Sequence, residues 1–178
     1  PTNIEVIEAN AFRGCSSLTT VTFEEGAHLN TIKGGSDASG AFAHCTSLTS
    51  IEIPASVETI EASVFRGCSS LATVNFENQS CLKIIGANYT TLQQQGVFYN
   101  CPITEIKLPA SLETIEVNAF IGCPLLKTVT FENESKLKFI NGTYNNADGS
   151  YHGAFYGLEK LEIVDMSGCS QIEAIGKA

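Results

Sequence analysis

The chain has 178 residues, 43% hydrophobic and 16% charged, a balance that supports a packed core and excludes a disordered segment. Ten Lys and Arg stand against 19 Asp and Glu, giving a formal net charge of -9 that repels phosphate backbones and argues against nucleic acid as a partner. No apolar run is long enough for a transmembrane helix, and no basic amphipathic stretch marks a membrane surface.

One phrase recurs along the chain: a small residue, Phe, two variable residues and Cys, then Leu or Ile, then an i, i+2 apolar pair. The first copy holds Ala11, Phe12, Cys15, Leu18, Val21 and Phe23, and the second Ala41, Phe42, Cys45, Leu48, Ile51 and Ile53. The third holds Val64, Phe65, Cys68, Leu71, Val74 and Phe76. The fourth, one residue shorter after its Cys, holds Val97, Phe98, Cys101, Ile103, Ile106 and Leu108. The fifth has Ala119, Phe120, Cys123, Leu126, Val129 and Phe131, and the sixth Ala154, Phe155, Leu158 in the Cys position, Leu161, Val164 and Met166. Each copy then reaches a second apolar pair, from Leu29 and Ile32 in the first to Ile172 and Ile175 in the last.

Pairs such as Val21/Phe23 and Val129/Phe131, with polar residues between, predict short strands with one buried face. The stretch from the small residue to Cys is too short for a full helix and predicts a single helical turn. Gly14, His44, Gly67, Asn100, Gly122 and Gly157 precede the Cys position, the residue types that a left-handed closing residue selects. Pro54 and Pro109 end the second and fourth strands and preset a turn. No copy buries its apolar stripe alone, so the copies must stack into a solenoid.

The phrases AFRGCSSLTTVTF, AFAHCTSLTSIEI, VFRGCSSLATVNF, VFYNCPITEIKL, AFIGCPLLKTVTF and AFYGLEKLEIVDM resemble the BspA-like group of leucine-rich repeats from Ile4 to Ile175. The resemblance implies an α/β solenoid, a leucine-rich repeat right-handed superhelix of about six coils, with short parallel strands and single helical turns. It implies one domain over residues 1–178, with repeats starting near 11, 41, 64, 97, 119 and 154. It also implies a secreted or surface-displayed protein active in adhesion, with no catalytic residues to transfer.

Function is expected where the repeat is broken. The repeated Phe residues are spaced by 30, 23, 33, 22 and 35 residues, so the unit is a pair of coils. The extra residues fall in Lys33 to Gly40, Gly86 to Gly96 and Asn141 to Gly153, against only Glu61-Ala62-Ser63 and Glu116-Val117-Asn118 in the even copies. Insertions at one register of a solenoid emerge on one face, here about every 10 Å. The candidate ligand contacts are Tyr89, Gln93, Gln94, Tyr99, Tyr144, Asn145, Asn146, Asp148, Tyr151, His152 and Tyr156, because Tyr among Asn, Gln, Ser and Gly suits recognition. A host or matrix protein or a glycan is the expected partner. The Thr-rich outward strand positions rank second, since cross-strand pairing explains them without a ligand.

Five of the seven cysteines occupy one repeat position and read as small buried hydrophobes, so the seven are expected as free thiols, with Cys81 and Cys169 the more reactive. Cys81 and Cys169 lie three coils apart, roughly 14 Å, too far to pair. No C-x-x-C, G-x-S-x-G or H-E-x-x-H occurs, and Asn145 to Gly149 lacks the closing Glu of a calcium loop, so no catalytic site, metal or cofactor is expected. Asn-x-Ser/Thr sequons stand at Asn78, Asn88, Asn133 and Asn141. Both chain ends cut through the repeat without a polar cap, which predicts a piece of a longer secreted or surface protein. The expectation is therefore a non-catalytic recognition or adhesion module. The alternative is a structural spacer displaying another domain.

Overall fold

The computed structural model describes residues 3–35, 39–86, 96–145 and 150–176. In chain order the strands begin with β1 (Val6–Ile7), β2 (Thr31–Ile32), β3 (Ser50–Ile53), β4 (Thr59–Ile60) and β5 (Thr73–Phe76). They continue through β6 (Ile84–Ile85), β7 (Glu105–Leu108), β8 (Thr114–Ile115), β9 (Thr128–Phe131) and β10 (Phe139–Ile140). The last are β11 (Gly142–Asn145), β12 (Ser150–Gly153), β13 (Ile163–Asp165) and β14 (Ala174–Ile175). The chain coils through these as a repeat solenoid, and apart from the β11–β12 pair every strand pairing is parallel.

Two sides of the coil carry strands. The end of the second apolar pair of each copy, which has too few residues to announce a strand, joins β1 ahead of the first copy to build an unbroken seven-stranded sheet in the order β1-β2-β4-β6-β8-β10-β14. The predicted i, i+2 strands form the other side, where burial alternates residue by residue in β3 and β7 as a half-buried strand requires. That side is divided: β3 pairs only with β5, and β7, β9 and β13 form a separate three-stranded sheet. Val21 to Phe23, expected as a strand, joins neither.

The divisions have a backbone cause. In odd copies the residue after the strand reaches back to the preceding coil, Glu77 N–H to Ile53 O at 3.0 Å and Glu132 N–H to Leu108 O at 2.9 Å. In the second and fourth copies that residue is Pro54 or Pro109, buried and without an N–H to donate. The fourth copy also lacks one residue ahead of its strand, and among the described residues no backbone hydrogen bond joins β5 to β7. The sixth copy has Ser167 in place of proline. Its β13 stays on β9, held at the entrance by Glu162 and Ile163 N–H donating to Lys127 O at 2.9 and 3.0 Å.

The expected helical turns are instead chains of tight turns, and no helix occurs among the described residues. Ala11, Arg13 and Cys15 donate three residues back, each at 3.1 Å, but the alternate amides of Phe12 and Gly14 donate across to Ala41 O and Ala43 O of the next coil, each at 2.8 Å. A helix needs every amide for its own ladder; here half of them bind coil to coil. The predicted left-handed residues do hold, with φ from 60° at Asn100 to 74° at Gly14 along that column.

The core is the sum of the repeat positions. Phe42, Phe65, Phe98 and Phe120 are fully buried and lie in one row with Phe12 and Phe155, ring centroids 5.1 to 5.7 Å apart. Each buried ring contributes about 1.5–3 kcal/mol from area alone, with about 0.5–1.5 kcal/mol more from pairing with a neighbour. The exposed large hydrophobics among the described residues (Ile4, Val6, Phe12, Tyr156, Ile163 and Ile175) all lie on the two end coils. Large apolar side chains are thus covered along the sides of the stack and exposed on its two end coils.

Candidate functional site

The three insertions follow β2, β6 and β10, which are second neighbours in the continuous sheet, so all three leave from the same edge of alternate coils. The first is held down at its start. Gly34 N–H donates to Glu61 Oε2 at 2.9 Å, Gly35 N–H to Ala62 O at 3.2 Å, and the Lys33 ammonium lies 3.0 Å from both Glu8 carboxylate oxygens. A Cβ on Gly34 or Gly40 would overlap the carbonyl oxygen of Ala62 or Ser63, so only glycine lets this insertion lie against the short connection of the next coil.

The third insertion, expected as a loop, carries a β-hairpin. Its β11 and β12 pair antiparallel in the register Gly142↔Gly153, Thr143↔His152, Tyr144↔Tyr151 and Asn145↔Ser150. This brings the backbones of four predicted contacts, Tyr144, Asn145, Tyr151 and His152, into one two-stranded unit. At its foot His152 is buried, and its ring centroid lies 4.3 Å from that of Tyr156, which is 43% exposed. Asn141, one of the sequons, donates its side-chain amide to Glu116 Oε2 at 2.9 Å beneath the hairpin. The predicted contacts Tyr89, Gln93, Gln94, Asn146 and Asp148 lie outside the described residues.

Tyr99 is placed differently from the other candidates. The Arg66 guanidinium sits 4.6 Å above its ring, a cation–π contact. On the coil that follows is Gly122, where an added Cβ would lie 2.6 Å from ring atom Cε2. Tyr99 therefore packs between coils, and Arg66, in the same repeat position one copy earlier, is a partner that aligning the column after Phe could have revealed.

All seven cysteines are free. The Cys45, Cys68, Cys101 and Cys123 Sγ atoms lie 3.1 to 3.3 Å from the carbonyl oxygens of Phe12, Phe42, Phe65 and Phe98, so each thiol donates to the preceding coil. Burial pushes the Cys45 thiol up to about 11 and the Cys123 thiol to about 12. Such thiols stay protonated at neutral pH and act as structural donors. Cys15, Cys81 and Cys169 lie outside this row of buried donors, Cys15 and Cys81 exposed and Cys169 half-buried. Among the described residues, no group of three His, Cys, Asp or Glu is placed to hold a metal ion.

A second concavity lies on the divided side. A groove of about 540 Å³ opens along the β5/β7 seam, lined by Thr73 and Asn75 on one wall and Glu105 and Lys107 on the other. Its lining extends to Glu52, Thr128, Thr130 and Glu132, with Lys107 Nζ 4.0 Å from Glu132 Oε1.

The stacked Phe row, the thiols donating to the previous coil and the left-handed residue before each Cys position define the repeat type. The BspA-type leucine-rich repeat region matches residues 1–89 and 91–178 in six copies. The chain belongs to this family. In the BspA-type coil, the residues that the motif repeats are core and turn residues, and the candidate contacts fall on its variable positions and in the insertions. The crystal structure of the pneumococcal vaccine antigen PcpA is similar, with 35% identity over 53% of this chain and 21% of that one and a TM-score of 0.46. No curated protein matches the chain. The seam was not foreseen: the shortened fourth copy and Pro109 were both visible, but their joint effect on strand pairing depends on the neighbouring coil.

Proposed function

We propose that this chain is a non-catalytic recognition module of a cell-surface or secreted protein. It binds a host or matrix protein, or a glycan, through the solenoid edge that carries the insertions. The observation that supports the reading most is the departure of all three insertions from one edge of alternate coils, with the β11–β12 hairpin and the exposed Tyr156 beside it. Membership of the BspA-type family supports the surface or secreted setting. We read the stack as a right-handed superhelix, since parallel strands joined by crossovers take that hand almost without exception.

The test replaces residues 141–153 with the three-residue connection Glu-Val-Asn found at 116–118, and compares both proteins in a binding screen of extracellular-matrix proteins and glycans. Saturable binding by the wild type that falls at least tenfold in the exchanged protein is the expected result. Unchanged affinity after the exchange would reject the hairpin as the site. A wild type that binds nothing would return the chain to the spacer role.

A further inference from the structure

We propose that the β5/β7 seam is a second binding site, a groove that takes a neutral oligosaccharide. It rests on the recognition reading only in assigning the module a ligand, and it uses none of the inserted residues.

The groove is built by the sequence. Proline at position 109 removes the donor that clamps odd strands to their predecessors, and the missing residue before β7 removes the bond at the strand entrance. The continuous sheet on the opposite side still holds these coils together, with Ile84↔Thr114 and Ile85↔Ile115 in register, so the gap opens on one side only. Its volume of about 540 Å³ lies within the usual range for small-ligand sites of about 300–1,000 Å³.

The chemistry of the walls selects the ligand. The facing edges of β5 and β7 have no backbone bond between them, so each presents N–H donors and C=O acceptors in alternation. Thr73 and Asn75 add groups that both donate and accept; Glu105 accepts and Lys107 donates. A chain of hydroxyls, each able to donate or accept, meets such walls without leaving groups unpaired. The charge decides between classes of glycan. Glu52, Glu105 and Glu132 outnumber Lys107, which already faces Glu132, so sulfated, sialylated and uronate-bearing chains are disfavoured.

The experiment titrates the ¹⁵N-labelled chain with maltotriose, cellotriose and triacetylchitotriose, and with a heparin tetrasaccharide and an oligolysine peptide as contrasting probes. At least one neutral trisaccharide is expected to shift the amides of residues 73–76 and 104–107 saturably. Asn75→Ala and Glu105→Ala are each expected to weaken this by about tenfold, the effect of losing one or two hydrogen bonds. Both side chains are exposed, so the variants keep the wild-type melting temperature. The exchange of residues 141–153 should leave the trisaccharide titration unchanged, which separates this site from the hairpin. The inference is overturned if no neutral trisaccharide binds, if the shifts map elsewhere, or if heparin or oligolysine binds the seam more tightly.

Discussion

The two strand-bearing sides of this solenoid are made by the same coils and obey different rules. On one side seven two-residue strands pair without interruption; on the other, strands of three or four residues stop pairing between the third and fourth copies. The longer strands have more residues to pair and still form the broken sheet. Continuity in a stack therefore depends less on strand length than on whether every coil supplies a donor at the same height. Proline at one column in the second and fourth copies leaves the divided side with a groove. The side with no proline carries the insertions at its edge.

The largest expected effect tests which side holds the stack. Ile115→Ala in β8, a fully buried position of the continuous sheet, should lower stability by about 2–5 kcal/mol in urea unfolding. Thr130→Ala in β9, a partly exposed position on the divided side, should cost under about 1 kcal/mol, the scale of a cross-strand pair. Equal losses would break the comparison.

A smaller effect would sharpen it. Pro54→Thr restores an N–H after β3, and the amides of Thr22 and Phe23 should then exchange with deuterium more slowly as that segment joins the sheet. If their exchange is unchanged, proline is not what keeps the first coil apart. The expected change in stability is within about 1 kcal/mol, because the added bond is offset by a freer unfolded chain.

The smallest effect concerns charge on the continuous side. Lys83 bonds Glu58 at 2.8 Å and Lys138 bonds Glu113 at 2.9 Å, forming a ladder of alternating sign that passes the seam. The Lys138 ammonium, hydrogen-bonded to Glu113, holds that carboxyl below its ordinary value, and Lys83 does the same for Glu58. A lowered carboxylate stabilises the fold above the unfolded value, and the gain is lost as pH falls through the folded one. Glu113→Gln should therefore lower the melting temperature slightly at pH 7 and not at pH 2. The difference should shrink in high salt, because both partners are exposed. A gap that persists at pH 2 would assign the effect to packing.

Much of the molecule was legible from the repeat columns alone. Phe42 to Phe120 marked the buried row, Gly14 to Gly157 the left-handed residues, and Cys45 to Cys123 a buried column, because each depends on positions repeated from copy to copy. The expectation of helical turns did not hold, since the alternate amides of that segment donate to the next coil, a partner that no local pattern reveals. Of the candidate contacts, His152 and Tyr156 come together beside the hairpin, while Tyr99 lies between Arg66 and Gly122. Aromatic composition selected all three alike; the neighbour one coil away separated them.

By itself, then, the amino-acid sequence determined the repeat, its six-fold count, the core columns and the register of the insertions, because side-chain burial follows from period and spacing. Only the tertiary structure decided which backbone donors met an acceptor. That depended on stacking one coil on the next, where a proline or a missing residue in one coil takes effect at its neighbour.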